Sequence, residues 1–545
     1  MQKKQLTLVI VSLLVVVLSV SLAYFTAQII GKGKDVSVSS ADLKIIFTDT
    51  DGSIEGSNIT PGWSNSKTFT IKNDTKTEYK YNIVIKDLLN TFVTEGYLQY
   101  KITSINGGYN MTEFKDIPKS SAPKDTILAY SVSIPVGVTQ SYTIEFKYVN
   151  DESVDQSEDM GKTLSGTLFI TEGTEQPTLL SQILNDNPTR DTRNTYNAVF
   201  TNNTTGTLFT ATEKNIHNTT DTTVYYYAGN TTNNWVKFGK FQNDLIRYRG
   251  TGITALYGEY STMDECTSVY SKCTEYKYAN TGDDIYWRII RTNSDGSVRL
   301  LYHGTSTTTT EAYIGTSAFN TTYNNPMYVG YMYGTSGSLV NNRANTNNST
   351  IKGIIDTWYE NNLKTNYTKY LSTTAVYCND RSNPAGGYNT DKKTEFYYGG
   401  YTRLGTNKTP TYDCTNVNDK FTVDTSTGNG KLTYPIALMT ADEVSFAGGV
   451  YFTSAETWYY KNSAKGSSTG STYWWLLSPH SWNNGSAEVF LMSGSSGPGD
   501  LGSVYVFINT HGVRPVISLK SCVKTSGGDG SASDPYTIKE TTSGC

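Results

Sequence analysis

Three short stretches of the sequence carry residue types that could perform catalysis. His480, Asp500 and His511 could supply an acid–base group, residues 466–470 (GSSTG) match a serine-hydrolase pattern, and residues 250–255 (GTGITA) match a dinucleotide-binding string. The serine pattern needs a strand before it and a helix after it, and the nucleotide string needs to open a helix; the flanking residues favour neither. The spacing of the two histidines and the aspartate is typical of solvated loop residues. We therefore predict that the protein is not an enzyme.

Cysteine and histidine are too sparse to predict a metal or redox site. The chain has six cysteines and four histidines, without a C-x-x-C pair or closely spaced histidines. The acidic runs at 49–52 and 529–530 lack the spacing of a calcium loop, so we predict no cofactor and no metal. An even number of cysteines in an exported chain favours disulfides instead. The pairs that spacing and elimination favour are Cys266–Cys273, Cys378–Cys414 and Cys522–Cys545.

Charge and composition argue against nucleic-acid binding and for a β-rich fold. In 545 residues, 45 Lys and Arg face 49 Asp and Glu, for a net charge of -4. There is thus no basic surplus to neutralise a phosphate backbone. Charged residues are only 17% of the chain, while 42 tyrosines and many Thr, Asn and Ser residues take their place. Since Tyr and Thr favour strands, we predict a mainly β protein.

Residues 1–34 are predicted to direct export. Lys3 and Lys4 precede an apolar run over residues 6–23 that continues to Ile30, and a charged head followed by an apolar run is typical of a signal segment. At about 20 residues the run could also span a bilayer, so a cleaved signal peptide and an N-terminal membrane anchor both stay open. In either case the positive flank places the rest of the chain outside the cell.

Residues 35–172 show the period-two alternation of one-sided β-strands. Phe69 and Ile71 alternate with Thr and Lys, and similar patterns recur over 81–85, 142–148 and 164–170, which predicts an antiparallel β-sandwich. The motifs at 41–43 (ADL), 59–62 (ITPG) and 69–73 (FTIKN) resemble camelysin and TasA-type exported sandwich domains over roughly residues 5–172. The resemblance implies a stalk or matrix-contact module that could self-associate.

A linker is predicted over 173–194, where turn-forming residues surround a short helix at 178–184.

The second unit, 195–545, begins with strands at 224–227 and 235–238 and a hairpin of 286–291 with 298–302 around Asp295–Gly296. Residues 241–283 are predicted to be an insertion. Two helices are predicted in this unit: Ser349 can cap an amphipathic segment, and Thr440 with Glu443 forms a capping box.

Ordered motifs in this second unit resemble C-type-lectin-fold modules of bacterial and phage surface proteins. The motifs are CNDRS at 378–382, LMTADE at 438–443, WWLLSP at 474–479, GVRP at 512–515 and the Gly/Asp-rich stretch 528–536. The resemblance implies a mixed α/β unit with two helices and a surface built from long loops. Formylglycine-generating enzymes share this fold, but they need reactive cysteines or a metal. In some relatives of these modules a retroelement diversifies the stretch between the motifs that correspond to WWLLSP and GVRP.

Residues 480–511 are the predicted ligand-binding stretch. Their mixture of Asn, Ser, Tyr, Asp and Phe is typical of such diversified stretches and of antibody loops. Val504, Val506 and Ile508 share one strand face, so Tyr505 and Phe507 would point outward if the aliphatic face is in the core. The alternative is that both rings pack on a neighbouring segment, and Glu488 fits either a solvated strand face or a ligand contact. The predicted ligand-binding residues are Trp482, Asn483, Asn484, Glu488, Ser495, Asp500, Ser503, Tyr505, Phe507 and Asn509.

Arg514 could bind an anion, but its position between Val513 and Pro515 favours a structural ion pair or a carbonyl clamp. Tyr473, Trp474 and Trp475 are interpreted as core and loop anchors.

Together the sequence patterns of the two units predict a secreted or surface-displayed adhesin or receptor that binds a glycan or a protein on another cell, a host or a phage. The alternative is a structural fibre or biofilm matrix subunit that polymerises through the sandwich.

Overall fold

The computed structural model describes residues 36–40, 43–49, 53–55, 59–94, 96–201, 207–214, 221–252, 259–383, 387–459, 472–494, 497 and 499–545. The predicted export segment, the GSSTG motif and Ser495 lie outside the described residues. The protein is mainly β, with 38% strand and 13% helix. It divides into two units, Met1–Gln176 and Pro177–Cys545.

The first unit contains two antiparallel sheets, which confirms the prediction of one-sided strands. Their orders are β1-β2-β4-β9-β6-β7 and β3-β10-β5-β8. In β9 every second side chain from Gln140 to Tyr148 is buried, and the four hydrophobic ones share one core cluster with Phe69, Ile71 and Ile83. Burying one face of strands such as β6 and β9 explains the period-two pattern there, whereas the five consecutive residues 81–85 of β5 are all buried. The strands are β1 Val36–Ser40, β2 Leu43–Asp49, β3 Ser53–Glu55, β4 Ser64–Asn73, β5 Tyr79–Asn90, β6 Leu98–Ser104, β7 Lys115–Asp116, β8 Ser120–Ile134, β9 Thr139–Tyr148 and β10 Leu164–Glu172.

The second unit has a ten-stranded sheet, a six-stranded sheet and three two-stranded sheets. Its strands are β11 Thr189–Thr192, β12 Thr207–Lys214, β13 Asp221–Tyr226, β14 Trp235–Lys240, β15 Leu245–Gly250, β16 Cys273–Ala279, β17 Asp284–Thr292, β18 Val298–Gly304, β19 Thr316–Ser317, β20 Met332–Tyr333, β21 Asn347–Asn348, β22 Tyr377–Cys378, β23 Phe396–Tyr397, β24 Lys420–Phe421, β25 Ile436–Ala437, β26 Trp474–Asn483, β27 Ser486–Met492, β28 Leu501–Tyr505, β29 His511–Gly512, β30 Val516–Leu519, β31 Thr525–Gly527 and β32 Tyr536–Ile538. Its α-helices are α1 Leu179–Asp186, α2 Met263–Thr267, α3 Leu339–Asn342, α4 Thr350–Asn362, α5 Gly399–Tyr401 and α6 Ala441–Phe446.

Local signals in the sequence predicted several of these elements correctly. β17 and β18 form the expected antiparallel hairpin, and Gly296 takes the positive φ that its turn requires (+76°). The hydroxyl of Ser349 caps α4 by accepting a hydrogen bond from the Lys352 amide, and the capping box of Thr440 and Glu443 begins α6. The short α2, which also begins with a capping box, was not predicted.

All three disulfide pairings are confirmed. Cys266–Cys273 joins α2 to β16, Cys378–Cys414 closes a longer loop, and Cys522–Cys545 ties down the C-terminal segment. Three disulfides indicate that the chain folds in an oxidising environment.

The predicted linker at 173–194 differs from the observed structure in its second half. From Pro177 onward the chain belongs to the second unit, where α1 buries Leu179 and Ile183 in the main core cluster. The turn-forming residues around α1 end the helix but do not make the segment a hinge, because apolar burial holds it against the core. The predicted insertion contributes β15 and β16 as a separate two-stranded sheet. None of the helices in the described ranges is long and apolar enough to cross a membrane.

Candidate functional site

The predicted ligand-binding stretch forms the hairpin β26–β27 and the adjacent strand β28. Asn483 pairs with Ser486, so Asn484 and Gly485 form a two-residue turn, with φ values of 49° and 72°. Positive φ at both turn residues is what a tight hairpin requires, and Asn-Gly is the sequence that tolerates it best. Asn484 is therefore explained by backbone geometry before any ligand is considered.

One row of side chains crosses this sheet from β23 to β28. Tyr397 on β23 is opposite Ser481, Ser481 is opposite Glu488, and Glu488 is opposite Tyr505. Directly opposed residues share a face, and the strand spacing places the two tyrosine backbones about 14 Å apart. The row therefore has an aromatic residue at each end and a carboxylate between them.

The neighbouring row lies on the other face and belongs to the core. Phe396 is opposite Trp482, and Trp482 is opposite Ala487. Trp482 is only 1% exposed, and its indole Nε1 donates to the carbonyl oxygen of Asp391 at 2.8 Å. The expectation that Trp482 contacts a ligand is wrong, because the alternation of the strand turns its ring inward.

A directed chain of hydrogen bonds ends on Glu488. Ser481 Oγ lies 2.6 Å from Glu488 Oε2, His480 Nδ1 lies 2.9 Å from Ser481 Oγ, and Tyr451 Oη lies 2.9 Å from His480 Nε2. A carboxylate can only accept, so Ser481 donates its single proton to Glu488 and accepts from His480 Nδ1–H. His480 Nε2 then accepts from Tyr451. These hydrogen bonds orient the carboxylate of Glu488. The hydroxyl proton of Ser481 points towards Glu488 and away from His480, whereas a serine that is activated as a nucleophile donates its proton to the histidine.

Burial and these hydrogen bonds set the charges of His480 and Glu488. Burial lowers the pKa of His480, although Glu488 partly opposes the shift, so the ring is neutral near pH 7. Burial raises the pKa of Glu488, but His480 Nδ1 at 3.3 Å and the hydrogen bond from Ser481 outweigh it and hold that pKa below its usual range. The side chain of Asn483 lies within hydrogen-bonding reach and acts in the same direction. Glu488 is thus an ionised carboxylate that is only 9% exposed.

Aromatic rings surround this carboxylate and its histidine. His480 contacts the rings of Tyr397, Tyr401, Tyr451 and Phe490, with centroid distances between 4.8 and 5.9 Å. Tyr397 stacks on Tyr401 at 4.1 Å. Tyr451 in turn contacts Tyr401 at 5.6 Å, so this side of the sheet is closed by interlocked rings.

A second group of rings lies at the other end of the row. Tyr505 is parallel to Phe507 at 5.8 Å, with an interplanar angle of 8°, and Phe507 contacts Tyr323 at 4.6 Å. Phe452 belongs to the first group of rings, where it contacts Tyr451 at 4.3 Å. We call this surface the aromatic cradle; its members are Tyr323, Tyr397, Tyr401, Tyr451, Phe452, Tyr505 and Phe507 around Glu488.

The cradle holds all the strongly exposed aromatic side chains of the described part of the chain. They are Phe452 (67%), Tyr323 (42%), Tyr397 (38%) and Phe507 (38%). The other exposed large hydrophobic residues within the described ranges are aliphatic, and isolated ones are normal on a surface. Of these four rings only Tyr397 lies on a strand of the sheet, and Tyr323, Phe452 and Phe507 lie in segments that adjoin it.

The remaining residues of the predicted ligand-binding set lie in different environments. Tyr505 is half-buried while Val506 is fully buried, so the predicted alternation holds, although β28 ends at Tyr505. Ser503 lies within hydrogen-bonding reach of Tyr451, whereas Asn509 is an exposed residue beyond the strand. Asp500 is in the turn before β28, where its backbone pairs with Ser493.

The expectation of solvated histidines in this stretch is wrong. His480 is 3% exposed, and His511 is 8% exposed beside the rings of Trp475 and Tyr473. The two histidines are held in separate ring clusters. Sequence reasoning also missed Tyr397, Tyr401 and Tyr451; the aromatic run FYYGGY at 396–401 was the available signal, but nothing local shows that it pairs with β26.

Two other charged groups are structural. Arg514 is fully buried and donates to the carbonyl oxygens of Tyr459 and Tyr302 at 2.8 and 3.1 Å, which confirms the predicted carbonyl clamp. Glu443 at the start of α6 accepts from Arg291 and Arg299, and their attraction outweighs burial and holds its pKa below the usual range. These contacts fasten α6 to β17 and β18. No three His, Cys, Asp or Glu side chains converge as metal ligands within the described residues.

Comparison with known proteins gives no family for the chain. No protein-family model matches it, and no curated protein matches it. Among solved structures, a xanthan lyase from Paenibacillus aligns with 47% of this chain and 23% of its own, at 10% identity and a TM-score of 0.13. A class 5 fimbriae chaperone, CfaA, aligns with 45% of this chain and 90% of its own, at 13% identity and a TM-score of 0.08. Such TM-scores carry no argument about fold or function, and this chain spans less than a quarter of the lyase.

Proposed function

We propose that this is a secreted or surface-displayed binding protein whose second unit, of C-type-lectin type, captures a glycan or a protein through the aromatic cradle. The sandwich would then hold this unit away from the cell as a stalk or matrix contact. The observation that carries the proposal is that, among the described residues, the four strongly exposed aromatic rings lie either on β23 (Tyr397) or in segments that adjoin β27 and β28 (Tyr323, Phe452 and Phe507). Aromatic rings supply large rigid contact area for sugar rings and for protein hot spots alike.

The surroundings of the rings support the same proposal. The sheet that carries Tyr397 and Tyr505 is backed by a row of fully buried side chains that includes Trp482 and Ala487, so these two rings stand on a packed sheet. Ser503, Asn483 and Glu488 place polar groups among them. A preorganised apolar surface with a few oriented polar groups is the usual composition of a binding site.

The proposal is tested with single substitutions at exposed rings. Tyr397→Ala and Phe452→Ala in the full chain should each reduce binding on a glycan array or to intact cells at least about tenfold, as loss of a binding hot spot does. The control is Val340→Ala, a more exposed hydrophobic residue (79%) on α3, which should leave binding unchanged. Unchanged binding in both ring variants would exclude the cradle. Concentration-dependent polymers that require the sandwich would favour the fibre alternative.

A further inference from the structure

The last strand of the six-stranded sheet directs part of its backbone away from the sheet. Within the described ranges β28 is an edge strand, with β27 on its inner side. Just beyond β28, the Val506 amide donates to the carbonyl oxygen of Ala487 on β27. Backbone groups alternate in direction along a strand, so those of Leu501, Ser503 and Tyr505 point to the opposite, outer side.

A short segment already pairs with the first position of this outer edge. The Leu501 amide donates to the carbonyl oxygen of Val450, and the Phe452 amide donates to the carbonyl oxygen of Leu501, which places residues 450–452 parallel to the start of β28. Phe452 then takes a left-handed φ of 52°, and the Thr453 amide donates back to Val450. This tight turn takes the segment away from the edge, so the edge accepts a strand at its first position and is left open after it.

The open part of the edge is bordered by aromatic rings. Among the described residues, no backbone hydrogen bond reaches the amides of Ser503 and Tyr505 or the carbonyl oxygen of Ser503. The ring of Phe452, which is 67% exposed, lies at one end, and the stacked rings of Tyr505 and Phe507 lie at the other. The left-handed region favours glycine or asparagine over a bulky residue, so the turn itself does not require phenylalanine at position 452.

The edge strand β8 in the first unit shows what a protected edge looks like. It ends the four-stranded sheet, and its exposed half contains Pro123, Lys124 and Asp125. Proline and charged side chains are the usual protection of an edge against strand addition. β28 has the sequence LGSVY and contains neither.

We propose that the aromatic cradle binds an extended segment of a partner protein, which adds as a strand to β28 at Ser503 and Tyr505. This inference rests on the proposed function and narrows its ligand from a glycan or a protein to a peptide segment. The two outward amides are about 7 Å apart, which is the spacing of the carbonyl groups on one side of a strand. Alternate side chains of the added strand would contact the flanking rings, which favours apolar or aromatic residues there.

The first experiment uses peptides selected on the protein itself. Random dodecapeptides displayed on phage are selected on the full chain, and calorimetry measures the affinity of the best one as a synthetic peptide. Each backbone amide of this peptide is then methylated in turn. Methylation of an amide that faces β28 should reduce the affinity at least about tenfold, because it removes a hydrogen bond and blocks the pairing. The amides between them should be much less sensitive, and this period of two is specific to a strand added at one edge.

The second experiment changes the edge. Ser503→Pro removes the outward amide hydrogen, and a strand tolerates proline where that hydrogen faces away from its neighbour. The matched comparison is Ser503→Ala, which removes the hydroxyl but keeps the amide. The proline variant should bind the selected peptide at least about tenfold more weakly than the alanine variant. If Ser503→Pro fails to fold, the methylation series on the natural chain still decides.

Equal sensitivity of all the amides, or the absence of any selected peptide, overturns the inference. A dimer of the natural chain that Ser503→Pro dissociates in sedimentation also overturns it, because the occupant of the edge would then be a second copy. If Tyr397→Ala and Phe452→Ala still lose glycan or cell binding in these cases, the proposed function stands without the inference; if they do not, both fail.

Discussion

Replacing Tyr505 and Phe507 together by alanine should remove ligand binding at little cost in stability. The two rings stack on each other at 5.8 Å, Phe507 also contacts Tyr323 at 4.6 Å, and Phe507 remains 38% exposed. Aromatic contacts are worth about 0.5–1.5 kcal/mol each beyond burial, so losing two of them costs about 1–3 kcal/mol. For a unit of this size, each kcal/mol lowers the Tm by about 2–4 °C. The expected Tm decrease is therefore no more than about 12 °C.

The intervening Val506 provides a matched control with the opposite outcome. It is fully buried, so Val506→Ala should cost about 2 kcal/mol through lost burial and a small cavity while binding persists. Tm is measured by calorimetry, and binding by capture on the same glycan array or cells. A loss of more than about 5 kcal/mol in the double variant, as for interior aromatics, would show that the rings stabilise the core. Normal binding by a folded double variant would refute the assignment of this face.

Three further sets of variants test the burial of Trp482, the pKa of Glu488 and the contribution of the disulfides. Trp482→Ala should lower the free energy of unfolding by about 3–5 kcal/mol, measured with denaturant, because the ring is 1% exposed; a loss below about 1 kcal/mol would place it at the surface. The pKa of Glu488 is lowered in the folded state, so its contribution to stability is present above the unfolded pKa of about 4.3 and disappears as the pH falls through the folded value. Unfolding measured from pH 3 to 6 should thus be less acid-sensitive in Glu488→Gln, and identical profiles would contradict the hydrogen-bond chain. Replacing Cys378 and Cys414 by serine should lower the free energy of unfolding by about 3–4 kcal/mol, because this disulfide closes a loop of 36 residues. Replacing Cys266 and Cys273 by serine should lower it by about 2 kcal/mol, because that disulfide closes a loop of only 7 residues. A larger Tm decrease for the shorter loop would show that loop closure does not dominate the stabilisation.

Much of the fold was predictable because its signals are local. The sandwich strands bury alternate side chains, so period two is visible in the order of residues, as from Gln140 to Tyr148. Helix caps are also local, since the Thr440 hydroxyl and the Glu443 carboxylate bond backbone amides within one turn. The linker at 173–194 was mispredicted in part, because turn residues reveal where a helix ends but not whether its apolar side meets a core.

Composition, periodicity and cysteine spacing by themselves predicted a β-rich, disulfide-bonded chain, but left open whether the rings near 505–507 point outward or pack on a neighbouring segment. Only the tertiary structure decided that Trp482 points inward, that Glu488 is buried in an ionised state, and that Tyr397 and Tyr451 reach it from segments 91 and 37 residues away in the chain. The physical reason is that strand pairing and buried hydrogen bonds depend on which distant segments meet across a sheet. The charge of a buried group follows from those neighbours and not from its position in the sequence.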